Sequence, residues 1–171
     1  MIIVNTGNGK GKTTAAVGQI VRALGRGWRV CVIQLFKGKD FYGEQNILKK
    51  LNNLKLYSFA PKYPGCFSKI TSKTVRTECF KALSKLKSVL ASKKMYDLVV
   101  LDEFNIAIRD GYIELKELLK ILSNNLHKND FIVTGRYAPK ELIKAADLVT
   151  EMKEIKHPFN KGIPAKKGIE F

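Results

Sequence analysis

The residues best suited to chemistry lie near the start of the chain, in the segment TGNGKGKTTAA from Thr6 to Ala16. Three glycines and two lysines precede a pair of threonines, and the segment follows the apolar residues IIV. A glycine-rich backbone that opens a helix can direct N–H groups at an anion, and a lysine adds a full positive charge. The segment therefore predicts a phosphate-binding loop between a strand and a helix.

Within this loop the residue types suggest separate tasks. Backbone N–H groups from Asn8 to Thr13 can point at a phosphate, while Lys12 supplies charge and Thr13 supplies a hydroxyl for magnesium. The consensus G-x-x-x-x-G-K-[ST] is not fully met, because Thr6 occupies the position of its first glycine. The alternative interpretation is a tight strand-to-helix turn that uses glycines for steric reasons.

A second polar pattern lies in YDLVVLDE, an apolar segment that ends in Asp102 and Glu103. Carboxylates at the end of a strand beside a phosphate loop suit magnesium coordination. The alternative is an acidic N-cap of the helix that follows the strand. Together the two patterns predict a P-loop nucleotide-binding protein, but they do not select a reaction.

Short apolar runs that alternate with helical periodicity predict the elements that position these residues. The runs IIVN, WRVCVIQLF, LKLYSF, YDLVVLDE, DFIVTG and LVTEMKEI predict strands, and helices are expected at 13–24, 71–90, 114–122 and 139–145. This alternation predicts an α/β fold with a mostly parallel central sheet and helices on both faces. At 171 residues the chain fits a single domain over 1–171.

The walls of a site in such a fold are expected at the carboxyl ends of the strands. The irregular stretches 37–43 and 60–70 and the tail from His157 are therefore candidate walls. Three cysteines, at positions 31, 66 and 79, have neither the even count of a disulfide framework nor metal-binding spacing, so they are expected to be reduced. Neither a leader segment nor an apolar run long enough to span a membrane is evident, and a cytoplasmic location is predicted.

The charge of the chain is strongly positive. Lys and Arg number 31 against 15 Asp and Glu, which gives a formal net charge of +16 and calls for an anionic partner. The lysines are scattered in pairs among helix-like segments instead of forming one tract. This distribution favours a solvated basic surface over a nucleic-acid-binding patch.

Beyond the single motifs, the chain resembles the P-loop ATP:corrinoid adenosyltransferases. The matching segments are TGNGKGKTTAA, RALG at 22–25, Gln34 with KG at 37–38 and GE at 43–44, VVLDE, TGR at 134–136, AADLVTEM, and KHPFNKGI running to GIEF. The resemblance covers nearly the whole chain in order. The loop form GNGKGKTT resembles the family's own variant, which accounts for Thr6.

The resemblance implies a RecA-like P-loop fold in which the Co(I) of a corrinoid attacks the 5′ carbon of ATP and expels inorganic triphosphate. ATP and the corrinoid are then substrates, with Mg²⁺ or Mn²⁺ accompanying the nucleotide. A homodimer is implied, as is a flavoprotein or other reductant that supplies Co(I), whereas nucleic acid and membranes are disfavoured as partners. The alternatives are a P-loop ATPase or kinase that cleaves at the γ-phosphate, and a basic nucleic-acid-binding ATPase-like module.

The resemblance also implies residue roles, carried over position by position. Catalysis would fall to Lys12, Arg136 and Glu103, and the metal would be held by Thr13, Glu103 and Asp102. The nucleotide would be bound by the loop and one residue of the next helix, namely Gly7, Asn8, Gly9, Lys10, Gly11, Lys12, Thr13, Thr14 and Arg22.

The loop after the third predicted strand departs from the family pattern. It reads YPGCFS at 63–68, where the family usually has a Phe-Thr-Trp pattern. Phe67 and Tyr63 are expected to substitute as the apolar wall for the corrinoid, and the alternative is that both are ordinary loop anchors.

Overall fold

The computed structural model describes residues 1–38, 41–60, 71–93 and 95–171. Its strands are β1 (Ile2–Thr6), β2 (Val30–Leu35), β3 (Leu54–Phe59), β4 (Leu98–Asp102), β5 (Asp130–Thr134) and β6 (Leu148–Glu151). They form one sheet in the order β3-β2-β4-β5-β1-β6, and every described pairing in it is parallel. All six predicted strands are therefore present: β3 has the predicted limits, β1 is one residue longer, and the other four are shorter than predicted.

The helices are α1 (Lys12–Gly25), α2 (Gly43–Leu48), α3 (Ser72–Ala91), α4 (Phe104–Arg109), α5 (Leu115–Ser123) and α6 (Lys140–Ala145), followed by a 3₁₀ turn at Pro158–Lys161. The four predicted helices correspond to α1, α3, α5 and α6. The helices α2 and α4 were not predicted, because six residues are too few to show a helical period and neither helix follows a proline, which was the signal for the equally short α6. None of the helices within the described ranges is long and apolar enough to cross a membrane.

Side chains of the central strands alternate between two buried layers on opposite faces of the sheet. In β2, Val30 and Val32 pack in the layer under α1 and α2, while Cys31 and Ile33 pack in the layer under α3 to α6. Because both faces are covered, the strand is buried at every position. The predicted α/β fold class, with a parallel central sheet and helices on both faces, is confirmed.

The strand order determines which loops lie together at the edge of the sheet formed by the carboxyl ends of the strands. Strand β1 lies between β5 and β6, and β5 separates it from β4. Parallel strands end at the same edge of a sheet, so the segments after β1, β2, β4 and β5 open together there. The phosphate loop and the acidic end of β4 are thereby brought to one edge.

Candidate nucleotide-binding site

The loop between β1 and α1 is shaped by close backbone packing. Gly7 adopts a positive φ of 97°, and a Cβ at this position would overlap the backbone of Met152. A Cβ on Gly9 would lie 2.7 Å from the carbonyl oxygen of Lys153, and the Gly9 N–H donates to the Met152 carbonyl at 2.7 Å. Glycine is required at both positions because the chain leaving β6 packs directly against the loop.

The side chain of Lys12 lies inside the curve of this loop. Lys12 is the first residue of α1, is buried, and donates from Nζ to the carbonyl oxygen of Gly9 at 2.5 Å. Burial lowers the pKa of Lys12, although the nearby carboxylate of Glu103 opposes that effect. The loop therefore holds a desolvated ammonium at the N-terminus of a helix, where an anion is favoured.

Asp102 ends β4 and is held by three side chains from other elements. Its Oδ1 accepts from the hydroxyls of Thr13 at 2.9 Å and Thr134 at 2.6 Å, and its Oδ2 accepts from Nε2 of Gln34 at 3.1 Å. The residue is only 1% exposed. Three fixed donors orient this carboxylate, and its burial makes a cation partner necessary.

Lys37 supplies that cation. Its Nζ lies 3.0 Å from Asp102 Oδ2, 3.1 Å from Glu44 Oε1 and 3.0 Å from Thr13 Oγ1, and it sits 4.9 Å from the centre of the Tyr42 ring. Burial by itself lowers the pKa of Lys37, but the carboxylates of Asp102 and Glu44 outweigh burial and leave the pKa raised. The side chain is therefore a buried ammonium in an oxygen cage.

Glu103, the next residue, has a strained backbone conformation and a carboxylate oxygen without a hydrogen-bond partner among the described residues. Its φ of 65° lies in the left-handed region at the N-cap of α4, a conformation that costs a non-glycine residue about 1–3 kcal/mol. Its N–H donates to the hydroxyl of Thr134 at 3.0 Å, whereas its Oε2 is buried with no hydrogen-bond partner among the described residues. Burial, reinforced by the charge of Asp102, raises the pKa of Glu103 to about 7.

Arg136 follows the end of β5 and lines the opposite part of the same opening. Gly135 before it adopts a φ of 129°, and its carbonyl oxygen accepts from Nδ2 of Asn105 at 3.0 Å. A Cβ on Gly135 would lie 3.0 Å from Cβ of Asn105, so the turn that presents Arg136 also requires glycine. The Arg136 side chain is exposed.

These groups surround a cleft of about 550 Å³. Its described lining combines the phosphate loop, the segment after β2, the acid at the end of β4, the turn after β5 and the tail of the chain, that is 8–14, Val17, Lys37, Tyr42, Gly43, Glu44, Glu103, Ile106, Arg136, His157 and 168–171. A positive loop and a carboxylate with an unsatisfied oxygen thus face one space large enough for a nucleotide.

Comparison with known proteins places the chain in a family. It matches the family described as ATP:corrinoid adenosyltransferase BtuR/CobO/CobP over residues 1–171. The chain belongs to this family. It is 38% identical over 174 residues to a corrinoid adenosyltransferase of Sinorhizobium sp, a match that covers 100% of this chain and 80% of that protein.

Two further relatives bear the same name, corrinoid adenosyltransferase. The protein of Pseudomonas aeruginosa is 37% identical, with 100% of this chain and 83% of that protein covered, and the protein of Escherichia coli K12 is 35% identical, with 100% and 85% covered. Among solved structures, a KaiC-like protein of Pyrococcus horikoshii OT3 matches with a TM-score of 0.49 and 16% identity, over 91% of this chain and 74% of that chain. The resemblance inferred from the motifs is confirmed.

Most of the site residues expected for this family converge on the cleft. Residues 8–14, Glu103 and Arg136 line it, while Gly7 and Asp102 lie directly behind the lining. Arg22 lies in the last turn of α1, nine residues beyond Thr13 and hence about 13 Å along the helix axis, and it does not line the described cleft. Tyr63 and Phe67 lie outside the described residues.

Two of the three candidate walls do contribute to the lining. The stretch 37–43 supplies Lys37, Tyr42 and Gly43, and the tail supplies His157 and 168–171. The two walls touch, because the ring of Phe41 stacks on that of Phe171 with centroids 4.9 Å apart and planes 14° apart. The stretch 61–70 lies outside the described residues.

Sequence reasoning assigned no role to Lys37, Glu44 or Gln34, although all three belong to the matching segments. The sequence did contain one indication of this network, namely Gln34, a polar residue inside the otherwise apolar strand β2. In the structure Gln34 is only 1% exposed. It receives a hydrogen bond from Gln45 at 3.0 Å and donates to Asp102. A buried amide in a central strand indicates a polar network, but the residues that complete the network cannot be identified from spacing.

Proposed function

We propose that this chain transfers the 5′-deoxyadenosyl group of ATP to the Co(I) of a corrinoid and releases inorganic triphosphate, in the biosynthesis or salvage of adenosylcobalamin. The observation that carries the proposal is the family match over the full chain. The cleft supports it, because its phosphate loop, buried lysine and exposed arginine suit a triphosphate.

The reaction needs no proton transfer to start. Co(I) donates an electron pair to the 5′ carbon, the cobalt–carbon bond forms as the C5′–O5′ bond breaks, and the electron pair of the broken bond leaves on the triphosphate. A nucleophile that is already strong needs no base. The protein's tasks are to align the 5′ carbon and to stabilise the charge that grows on the leaving oxygen.

Lys12 and Arg136 are proposed to stabilise that charge from two sides. Lys12 lies in the loop with its ammonium desolvated, so its attraction to a phosphate oxygen is stronger than it would be in water. The exposed guanidinium of Arg136 can pair with phosphate oxygens bidentately. The backbone N–H groups of 8–13, except that of Gly9, which donates to the carbonyl of Met152, are proposed to bind the remaining oxygens.

We also propose that Mg²⁺ or Mn²⁺ binds with the nucleotide, held by Thr13, Asp102 and Glu103. The donors fit, since hydroxyl and carboxylate oxygens suit these ions and Oε2 of Glu103 is buried without a hydrogen-bond partner in the described chain. Among the described residues no three His, Cys, Asp or Glu side chains could hold a metal by themselves, which fits an ion that also uses phosphate oxygens. A bound ion would draw charge from the triphosphate.

The remaining features of the proposal rest on the family resemblance, except for the single domain and the cytoplasmic location, which rest on the sequence analysis above. They are a single domain over 1–171, a homodimer, a cytoplasmic location, a flavoprotein or other reductant that supplies Co(I), and contact of Arg22 with the nucleoside end of ATP.

Phe67 and Tyr63 are proposed to form an apolar wall that keeps axial ligands from the cobalt, which eases its reduction. Phe67→Ala would then impair the reaction from Co(II) much more than the reaction from reduced Co(I), and equal losses would assign the loop to substrate positioning.

Product analysis tests the proposal directly. The protein is incubated without oxygen with ATP, magnesium and chemically reduced cobalamin. Inorganic triphosphate and adenosylated corrinoid are expected in equal amounts, with little ADP. Release of ADP and phosphate without a corrinoid would instead place the protein among γ-phosphate-cleaving ATPases, and strong salt-sensitive retention on DNA would favour the nucleic-acid-binding alternative.

A further inference from the structure

The ammonium of Lys37 has all of its hydrogen-bonding capacity in use. It has three donors, and three oxygens lie within hydrogen-bond distance: Thr13 Oγ1 at 3.0 Å, Glu44 Oε1 at 3.1 Å and Asp102 Oδ2 at 3.0 Å. The side chain is only 8% exposed. An ammonium at this depth is stable only because two carboxylates surround it.

The three oxygens around this ammonium are the kind that a small divalent cation takes. Hydroxyl and carboxylate oxygens bind Mg²⁺ at about 2.0–2.1 Å. The hydroxyl of Thr13 already donates its proton to Asp102, so it is the oxygen lone pair that receives Lys37. A metal ion held by Thr13 and Asp102 would bind the same two oxygens that Lys37 contacts at 3.0 Å and would place a second positive charge beside the ammonium, so Lys37 and the ion compete for this position.

We propose that Lys37, anchored by Glu44, is a built-in counter-ion that occupies the part of the divalent-cation site formed by Thr13 and Asp102, and that it must move out when metal and nucleotide arrive together. Lys37 is thus a positioning residue that makes metal binding depend on nucleotide. The inference rests on the proposed function insofar as that function places a divalent cation at Thr13 and Asp102.

Charge explains the dependence on nucleotide. A free divalent cation at this position would have to displace a buried ammonium, which would then lose both of its carboxylate partners. An ion that arrives with a triphosphate brings the displaced ammonium new anionic partners in the same cleft, which Lys37 itself lines. The free protein is therefore expected to reject the metal alone.

The test measures binding of Mn²⁺ alone, without nucleotide or corrinoid, by the loss of its free electron paramagnetic resonance signal. Lys37→Met keeps the length of the side chain and removes its charge. We expect the variant to bind Mn²⁺ at least about tenfold more tightly than the wild type, because the oxygen cage then lacks a resident cation. Mn²⁺ should also raise the melting temperature of the variant but not that of the wild type.

Lys10→Met is the matched control. Lys10 is exposed and lines the same cleft, so the control removes one positive charge without opening the cage. Its affinity for Mn²⁺ should stay within about twofold of the wild type, since a single exposed charge is well screened. An equal gain in both variants would reduce the effect to general electrostatics and overturn the proposal.

A second variant guards against loss of folding. Lys37→Met leaves the buried Asp102 and the partly buried Glu44 without a cation, so the double variant Lys37→Met/Glu44→Gln removes one of the two negative charges while keeping Thr13 and Asp102. If a folded single or double variant binds Mn²⁺ no better than the wild type, the proposal is wrong. The measurement uses no corrinoid, so its outcome is distinguishable from that of the activity assays. A failed adenosylation assay would refute the proposed transfer, whereas transfer that persists with a chelator would refute only the proposed metal.

Discussion

The two sides of the cleft are built in different ways. The phosphate side is one contiguous segment, 7–13, in which backbone N–H groups and the buried Lys12 are proposed to bind the phosphates. The acidic side is a network of side chains contributed by α1, α2, β4, β5, and β2 together with the segment after it. The phosphate side therefore depends on the geometry of the backbone. The acidic side depends on charged and polar side chains that neutralise and hydrogen-bond one another.

The comparison predicts that removing charge on the acidic side costs folding stability. Asp102→Asn keeps the shape of the side chain but leaves Lys37 with a single carboxylate, and breaking a buried ion pair on one side typically costs about 3–5 kcal/mol. Denaturant unfolding should show a loss in that range. Glu117→Gln removes one member of the exposed Lys87–Glu117 pair and should cost less than about 1 kcal/mol. Equal costs would remove the distinction between the two sides.

Removing charge on the phosphate side should affect turnover and spare stability. Loss of one preorganised donor lowers kcat by about a hundredfold to a thousandfold, so Lys12→Ala should fall in that range. Its unfolding free energy should hardly change, because the ammonium bonds to one carbonyl oxygen in its own loop. Lys10→Ala, at an exposed position of the loop, should lose far less activity. A Lys12→Ala variant with near-normal turnover would remove Lys12 from the site.

A smaller effect is expected on the pH dependence of nucleotide binding, through Glu103, which lies between the phosphate side and the acidic side. Glu103 has a pKa raised to about 7, and a divalent cation needs its ionised form. Affinity for the magnesium complex of ATP should therefore rise with pH, by roughly tenfold between pH 6 and pH 8, as the ionised fraction grows. Glu103→Gln cannot ionise and should show only the pH dependence that ATP itself contributes. The affinity of both proteins is measured by calorimetric titration across this pH range. The same pH dependence in the wild type and in Glu103→Gln would contradict the assignment of Glu103 to the metal.

The smallest effect is expected where the tail meets the segment after β2. Phe41→Leu removes the stack on Phe171, and such aromatic pairs contribute about 0.5–1.5 kcal/mol beyond their buried area. Limited proteolysis should cut within 157–171 a few times faster in this variant. Phe80→Leu changes an exposed ring on α3 and should leave cleavage of the tail unchanged. Equal cleavage of the Phe41 variant and the wild type would show that the stack does not hold the tail.

Sequence patterns predicted the sheet and the phosphate side because their information is local. Each strand is a short apolar run, and Lys12 and Thr13 follow the glycines directly. The acidic side was predicted only as far as Asp102 and Glu103, which end a strand. Lys37 and Glu44 lie 65 and 58 residues before Asp102 in the chain, and only the placement of β2 beside β4 brings them to it. No local pattern carries that information.

The position of β1 in the sheet has a consequence for how the protein forms during synthesis. β1 is made before the other five strands of this sheet, yet it pairs on one side with β5, as in Ile2 with Phe131, and on the other with β6, as in Ile3 with Leu148. Pairings this distant in sequence must close long loops and are slow to form. The backbone of Met152 and Lys153 also packs on the glycines of the loop. A nascent chain is therefore expected to acquire nucleotide binding only after β6 has left the ribosome, and nascent chains that end before β6 should fail to bind ATP.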